Sequence, residues 1–366
     1  MNIGITFGGY CPLHRGHLDL IMRAKKENER CYIVVCGYDN EPRAKEMGAS
    51  LDERVRLIRD FFDQDEQIRV IGVDDTVLGI DESMSDCNWR VWQKEIHRQC
   101  GEELLGATCT WYVAEPQYKE ALERVNVLEA RVVLAEKINR ISAMEIRRQP
   151  RQYWNLIARP FRQFFTANVL VTGTASEGKS TLVRDVARYY DLPYVEEYAR
   201  TYMQLNNKTD LTLNADDYEA FLVEQNRLCK EAQRSPANRG CIIADTDNVV
   251  TLMYAISAAE DPQMNVSLKD YEERLLPLAK RLAPTLCWQK IFLLEPHSAY
   301  IDDGFRYMGH SSMSFRNRQL DTLLRLIGDW GMLDNVVLLK GSMAENYISV
   351  RDYIGKLLYE TEKDFI

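Results

Sequence analysis

The chain has 366 residues, more than one compact domain usually holds, and a prior of about 150 residues per domain suggests two. Hydrophobic residues make up 46% and charged residues 28%, which excludes a disordered, collagenous or coiled-coil chain. The net charge is −9; before residue 166 there are 24 basic and 26 acidic residues, and after it 22 and 29, so neither half has the basic excess of a nucleic-acid-binding domain. No stretch approaches the roughly 18 uninterrupted apolar residues of a membrane span, and no basic segment precedes an apolar core at the N-terminus. Nine scattered cysteines without a CxxC pair point to a reducing compartment. A cytoplasmic protein that is not a membrane protein and needs no nucleic acid is expected.

In chain order, apolar runs at Asn2–Phe7, Cys31–Gly37, Ile68–Val73, Thr108–Val113 and Ala130–Leu134 read as strands. Helical patterns alternate with them near 15–27, 51–63, 87–99 and 117–125, which predicts a parallel α/β sheet. At 147–165 the texture changes: five arginines without an acid stand among two prolines and several aromatics. It reads as a junction, giving domains at 1–148 and 166–366 with a linker at 149–165. The second alternation runs through a strand at Asn168–Thr172, a helix at 179–190, a short strand at Tyr194–Glu197 and a polar helix at 214–237. It continues with the strand Cys241–Ala244, helices near 248–259 and 267–282, strands Lys290–Leu294 and Asn335–Lys340, and a terminal helix at 344–361. The expected fold class is α/β with two tandem domains, each built on a parallel sheet.

Two loops carry chemistry. The first, GGYCPLHRGH, follows the first strand and opens a helix, with Pro12, His14, Gly16 and His17 in PxHxGH spacing. It stands at the carboxyl end of a strand, where open α/β sheets bind ligands. Gly8 and Gly16 let backbone approach a phosphate, and the helix start directs N–H groups at an anion. Two imidazoles three residues apart can both donate to one phosphate, and those bonds strengthen as its charge grows.

The second loop, GTASEGKS, fits the phosphate-binding pattern G-x-x-x-x-G-K-[ST] between a strand and a helix. Gly173, Thr174, Ser176, Gly178 and Thr181 belong to the cradle, Lys179 would bridge the β- and γ-phosphates, and Ser180 would hold Mg²⁺. Glu196 and Glu197 follow one short strand; Asp245 and Asp247 follow another. Acids at strand ends beside such a loop are where metal coordination and hydroxyl activation would come from, with Asp245 the metal candidate and Glu197, Asp245 and Asp247 all candidate bases. The polar segment 300–310, with Tyr300, Arg306 and His310, reads as a lid that brings an arginine to the transferred phosphate.

GGYCPLHRGH resembles the signature of the HxGH nucleotidyltransferases, and ISAMEIR (141–147) resembles their second signature, with Met144 where a threonine is usual. The resemblance implies that Gly8, Tyr10, Gly16, Ser142 and Arg147 bind ATP. Joined to the kinase loop, the aromatic stretch YWNLIARPFRQFF, EEYAR, DTD and DDGFR, the chain resembles the NadR family, which couples nicotinamide-mononucleotide adenylyltransferase to ribosylnicotinamide kinase. Some members add an N-terminal helix-turn-helix domain; this chain starts at its first strand, so DNA-binding repression is not implied. The resemblance implies ATP and Mg²⁺ as cofactors, nicotinamide riboside, nicotinamide mononucleotide and NAD as partners, and Glu196, Tyr198, Arg200, Asp247 and Tyr300 around the nucleoside. A homo-oligomer is compatible with this reading. Family kinases often carry a tryptophan where Glu196 stands, so Tyr300 and Tyr202 are candidates for the lost aromatic face. The alternatives are a nucleotide-sensing regulator, or an adenylyltransferase whose kinase serves another nucleoside.

Overall fold

The computed structural model describes residues 1–39, 41–80, 85–104, 106–282 and 287–359. The chain forms two units, Met1–Phe165 and Thr166–Ile366.

The first unit runs β1 Asn2–Gly8, α1 Arg15–Lys26, β2 Arg30–Gly37, α2 Pro42–Met47, α3 Leu51–Phe61, β3 Ile68–Asp74, α4 Asp86–Cys100, β4 Thr108–Val113, α5 Pro116–Arg124, β5 Arg131–Leu134 and α6 Ala143–Arg148. Its strands are all parallel, in the order β3-β2-β1-β4-β5. The central strands are continuous apolar runs because helices cover both faces of the sheet. Ile21, Val55, Leu57 and Ile58 pack on one face, and Trp89, Trp92, Ile96 and Leu122 on the other. The strand order reverses between β1 and β4, and a crevice opens at such a point beyond the carboxyl ends.

Residues 149–165, read from composition as a linker, are built into this first unit. Trp154, Ile157 and Phe161 are buried against α1 and α3, and Ala158 N–H donates to the Leu13 carbonyl at 3.0 Å. The prolines and arginines signalled a junction, but the aromatics between them need a core. The unit therefore ends at Phe165.

The second unit runs β6 Ala167–Gly173, α7 Lys179–Tyr190, β7 Tyr194–Val195, α8 Tyr198–Asn206, α9 Ala215–Arg234, β8 Cys241–Ala244 and α10 Asn248–Ala259. Next come a helical run through α11 Leu268–Asp270, a π turn Tyr271–Leu275 and α12 Leu276–Leu282, then β9 Lys290–Leu294, α13 Met313–Asp329, β10 Val336–Leu339 and α14 Met343–Tyr359. Residues 360–361 of the expected terminal helix lie outside the described residues. The parallel strand order is β10-β9-β6-β8-β7, with α7 and α14 on one face and α9, α10, α12 and α13 on the other.

Helices α2, α6, α8 and α13 are additions to the sequence-based expectation. The longest, α13, begins at the Ser312 N-cap, and its buried face reads Arg316, Gln319, Leu323, Leu326, Ile327. Two polar residues on that face dilute the apolar period. All nine cysteines are free thiols. Among the described residues no helix is long and apolar enough to cross a membrane.

Candidate functional sites

In the first unit β1 delivers the chain into the turn at Gly8, and α1 begins at Arg15 with His14 as its N-cap. His14 Nδ1 accepts from Gly16 N–H at 3.1 Å, which fixes its proton on Nε2 and leaves that group free to donate. The His17 ring lies 3.8 Å from it, centroid to centroid, and Tyr10 meets His17 edge-on at 4.9 Å. Burial pushes His14 down to about 4, with Asp19 opposing, and it holds His17 well below the ordinary range with His14 adding to the effect. Both imidazoles are therefore neutral donors near pH 7. His17 Nδ1 is buried without a hydrogen-bond partner. At Gly16 a Cβ would stand 3.0 Å from His14 Cε1, so a larger residue there would press on the capping imidazole.

Arg147 reaches back from α6 and donates to the Cys11 carbonyl at 2.6 Å, bringing the second signature to the first. Ser142, expected to bind ATP, is the N-cap of α6, where its hydroxyl is engaged in a capping box with Glu145. Tyr10 is buried in the core beside its Thr6 partner rather than presented to solvent. Sequence reasoning missed the support behind this loop. Arg54, fully buried, donates to the Gly9 carbonyl at 2.6 Å and pairs with buried Glu41 at 3.0 Å. Gly37, at φ 126°, makes room for that carboxylate: a Cβ there would meet it at 2.3 Å.

In the second unit the phosphate loop joins β6 to α7. Gly173 has φ 142° and a Cβ on it would lie 2.6 Å from the Leu294 carbonyl; Gly178 takes φ 78° at the helix cap. Lys179 donates to the Thr174 carbonyl at 2.7 Å, and burial lowers its pKa against the pull of Asp245 and Glu197. Ser180 Oγ donates to Asp245 Oδ2, while Asp245 Oδ1 is buried without a partner and burial raises that carboxyl.

A cavity of about 350 Å³ opens from this loop. Ser176, Gly178, Lys179, Ser180, Thr181, Glu197, Arg200, Tyr300 and Arg306 line it, as the sequence suggested. Beyond them the wall continues through Asp210, Leu213, Tyr218, Phe221, Tyr254 and Met264. Glu197 is the N-cap of α8 but makes no side-chain capping bond, which leaves its carboxylate to the cavity. The 300–310 segment folds over the loop: Arg306 Nη1 and Ile301 N–H both donate to Ser176 Oγ, at 2.8 and 3.0 Å. Asp210 receives the Tyr307 N–H at 2.8 Å, and burial raises its carboxyl. Asp210 and Tyr254 belong to no local pattern; only the fold brings them to the wall.

Three expected nucleoside contacts lie elsewhere. Glu196 is exposed and faces Arg184 at 3.8 Å, because alternate residues after β7 point to opposite sides. Tyr198 packs against Tyr202 and Phe221, and Tyr202 spends its hydroxyl on Asp217 at 2.7 Å. Asp247 is the buried cap of α10: it accepts from Val249 N–H, Val250 N–H and the Trp288 indole at 3.0, 3.1 and 2.8 Å. Its place among the candidate bases is thereby withdrawn. Among the described residues no group of three or more His, Cys, Asp or Glu side chains could hold a metal by itself.

Residues 5–149 match the cytidylyltransferase-like family model, and residues 168–345 match the AAA domain model. The trifunctional NAD biosynthesis/regulator protein NadR of Salmonella typhimurium is 28% identical over 334 residues, covering 88% of this chain and 76% of that protein. A crystal structure of a NadR protein in complex with NR is 30% identical, with a TM-score of 0.81 over 98% of this chain and 97% of that one. The chain belongs to the NadR family. A second NadR structure, in complex with NAD and AMP-PNP, is 29% identical with a TM-score of 0.79 over the same shares. For a NadR protein, the two sites fall as the family models divide it: the histidine loop lies within residues 5–149 and the phosphate loop within 168–345.

Proposed function

We propose that this chain makes NAD in two steps: phosphorylation of nicotinamide riboside by ATP in the second unit, and adenylyl transfer from ATP to nicotinamide mononucleotide in the first. The observation that carries the reading is the cavity beyond Lys179, where a phosphate loop opens onto carboxylates and tyrosine rings. Its polar end suits a triphosphate. Its far end, walled by Tyr218, Phe221, Tyr254 and Asp210, suits a flat cationic ring, which aromatic faces and a carboxylate attract together.

In the kinase step the 5′-hydroxyl oxygen bonds to the γ-phosphorus as the bond to ADP breaks, and the hydroxyl proton passes to Glu197. Asp245 is engaged with Ser180 and Asp247 with a helix cap, so of the three candidate bases Glu197 is the one left to the cavity. The orphaned Asp245 Oδ1 beside Ser180 Oγ fits a hard cation completed by phosphate oxygens, so these two residues would hold Mg²⁺. Bound there, it would neutralise phosphate charge. Lys179 and Arg306 bring further positive charge to the transferred group.

In the adenylyl step a phosphate oxygen of the mononucleotide bonds to the α-phosphorus of ATP, and pyrophosphate leaves. His14 Nε2–H and the neutral His17 donate to the phosphate while its charge grows, and Arg147 stands behind the same loop. Neither step requires a covalent enzyme intermediate.

The test is incubation with ATP, Mg²⁺ and nicotinamide riboside, with a parallel reaction from nicotinamide mononucleotide, and products followed by chromatography. NAD in both supports the reading; NAD only from the mononucleotide moves the kinase to another nucleoside. Product from neither leaves a nucleotide-sensing protein. His17→Ala should abolish NAD formation and spare phosphorylation, and Lys179→Ala should do the reverse.

A further inference from the structure

Three consecutive residues of the phosphate loop hold the segment 297–306, Ser176 and Glu177 directly and Ala175 through Arg316 of α13. The Ala175 carbonyl accepts from Arg316 Nη2 at 3.0 Å. Ser176 Oγ receives Ile301 N–H and Arg306. Glu177 accepts the backbone N–H groups of His297 and Ser298, at 3.2 and 3.3 Å, and pairs with Arg316. The other arm of that guanidinium donates to the Ser298 carbonyl at 2.7 Å. Glu177 and Arg316 are 1% exposed each, and Tyr300 lies between Arg306 and Arg316 with both guanidinium carbons within 6 Å of its ring, at 5.8 and 5.7 Å.

A loop that turns its N–H groups toward phosphate must turn carbonyls away from it, and a buried carbonyl needs a donor. Arg316 is that donor for Ala175. Ser176, between the two anchored residues, takes φ 70°, a left-handed conformation that a serine keeps only where its surroundings impose it. A buried ion pair is a poor source of net stability compared with apolar residues of the same volume, so stability alone does not account for this one.

We propose that Glu177 and Arg316 are positioning residues for phosphoryl transfer: their pair holds the phosphate loop in its receiving shape and pins the 297–306 strap so that Arg306 stands over the transferred phosphate. The inference rests on the kinase reading above. Neither residue is placed on the substrate; both act through the loop and through Arg306.

The test is the full-length double variant Glu177→Gln/Arg316→Met, which removes both charges at similar volume. It should fold, keep adenylyl transfer and keep the nucleoside KM within about threefold, while kinase kcat falls roughly 10- to 100-fold, the size of effect that misplacement by about 1 Å produces. A folded double variant with kcat within about twofold of the parent overturns the proposal. If the double variant does not fold, Arg316→Lys decides: loss of the two-armed contact should lower kcat by about fivefold or more at unchanged nucleoside KM, and unchanged kcat overturns the proposal. A parent protein with no kinase activity would refute the proposed function instead. Tryptic cleavage after Arg306 with AMP-PNP and Mg²⁺ present then remains as the readout. The parent should be protected and the Arg316→Lys protein cut about fivefold faster, whereas equal rates overturn the positioning role.

Discussion

Replacing His14 by asparagine should flatten the acid sensitivity of the first unit. The asparagine keeps a side-chain acceptor for the Gly16 N–H and remains a good N-cap, so the start of α1 is preserved. What is removed is a buried titrating group. His14 titrates at about 4 in the folded chain against an ordinary 6.5, because burial disfavours the imidazolium. The folded value is the lower one, so the unfolded chain takes up the proton first. Stability is thus fully present above about pH 6.5 and is lost as pH falls toward 4. The distance from 6.5 to about 4 corresponds to roughly 3 kcal/mol at full extent, and to about 2 kcal/mol between pH 7.5 and pH 5. His17 is shifted the same way, so the parent should lose more than His14 alone supplies. Amide exchange in β1 and α1, corrected for intrinsic rates, should show protection falling with pH in the parent and about 2 kcal/mol less in the variant over the same interval. Identical pH dependence in the two proteins would refute the claim that His14 is held neutral by burial. The variant should also lose adenylyl transfer by about 10²- to 10³-fold, with kinase activity intact.

Gly173→Ala should destabilise the second unit by about 2–4 kcal/mol in denaturant unfolding, since its backbone sits at φ 142° and the new Cβ would lie 2.6 Å from a strand carbonyl. A change below about 0.5 kcal/mol would contradict that packing. Asp210→Asn keeps an acceptor for Tyr307 but removes the charge in the far wall. It should lower kcat/KM for cationic nicotinamide riboside by about tenfold and leave that for the neutral dihydro form nearly unchanged, and an equal loss on both would remove charge as the cause. Asp247→Asn should leave the nucleoside KM within about threefold in a steady-state kinase assay, because that side chain caps α10 outside the cavity wall; a tenfold rise would return it to the substrate.

Much of this protein was legible from its residues because its signals are local. The central strands of the two sheets, such as β2, β6, β8 and β9, are buried on both faces and so read as apolar runs, and each phosphate loop is a strand, a glycine turn and a helix start written consecutively. His14, His17, Lys179 and Ser180 needed only spacing and context. The departures share one cause. Helix α13 escaped notice because Arg316 and Gln319 occupy its buried face, and Arg316 is there to meet Glu177, 139 positions earlier in the chain. The prolines and arginines of 149–165 read as a junction, whereas its aromatics pack in a core with α1 and α3.

The acids give the sharpest division. Their residue types and their positions after strands marked both pairs as candidates, and no more could be read. Whether Glu196 or Glu197 faces the cavity depends on the local direction of the chain after β7, and whether Asp247 serves chemistry or a helix depends on where Trp288 and the start of α10 lie. The sequence by itself determined the two loop chemistries, since each is encoded within about ten adjacent residues. The tertiary structure alone decided which carboxylates line the cavity and which buried arginines brace the loops, because those contacts join residues far apart in the chain, where no periodicity or spacing carries the information.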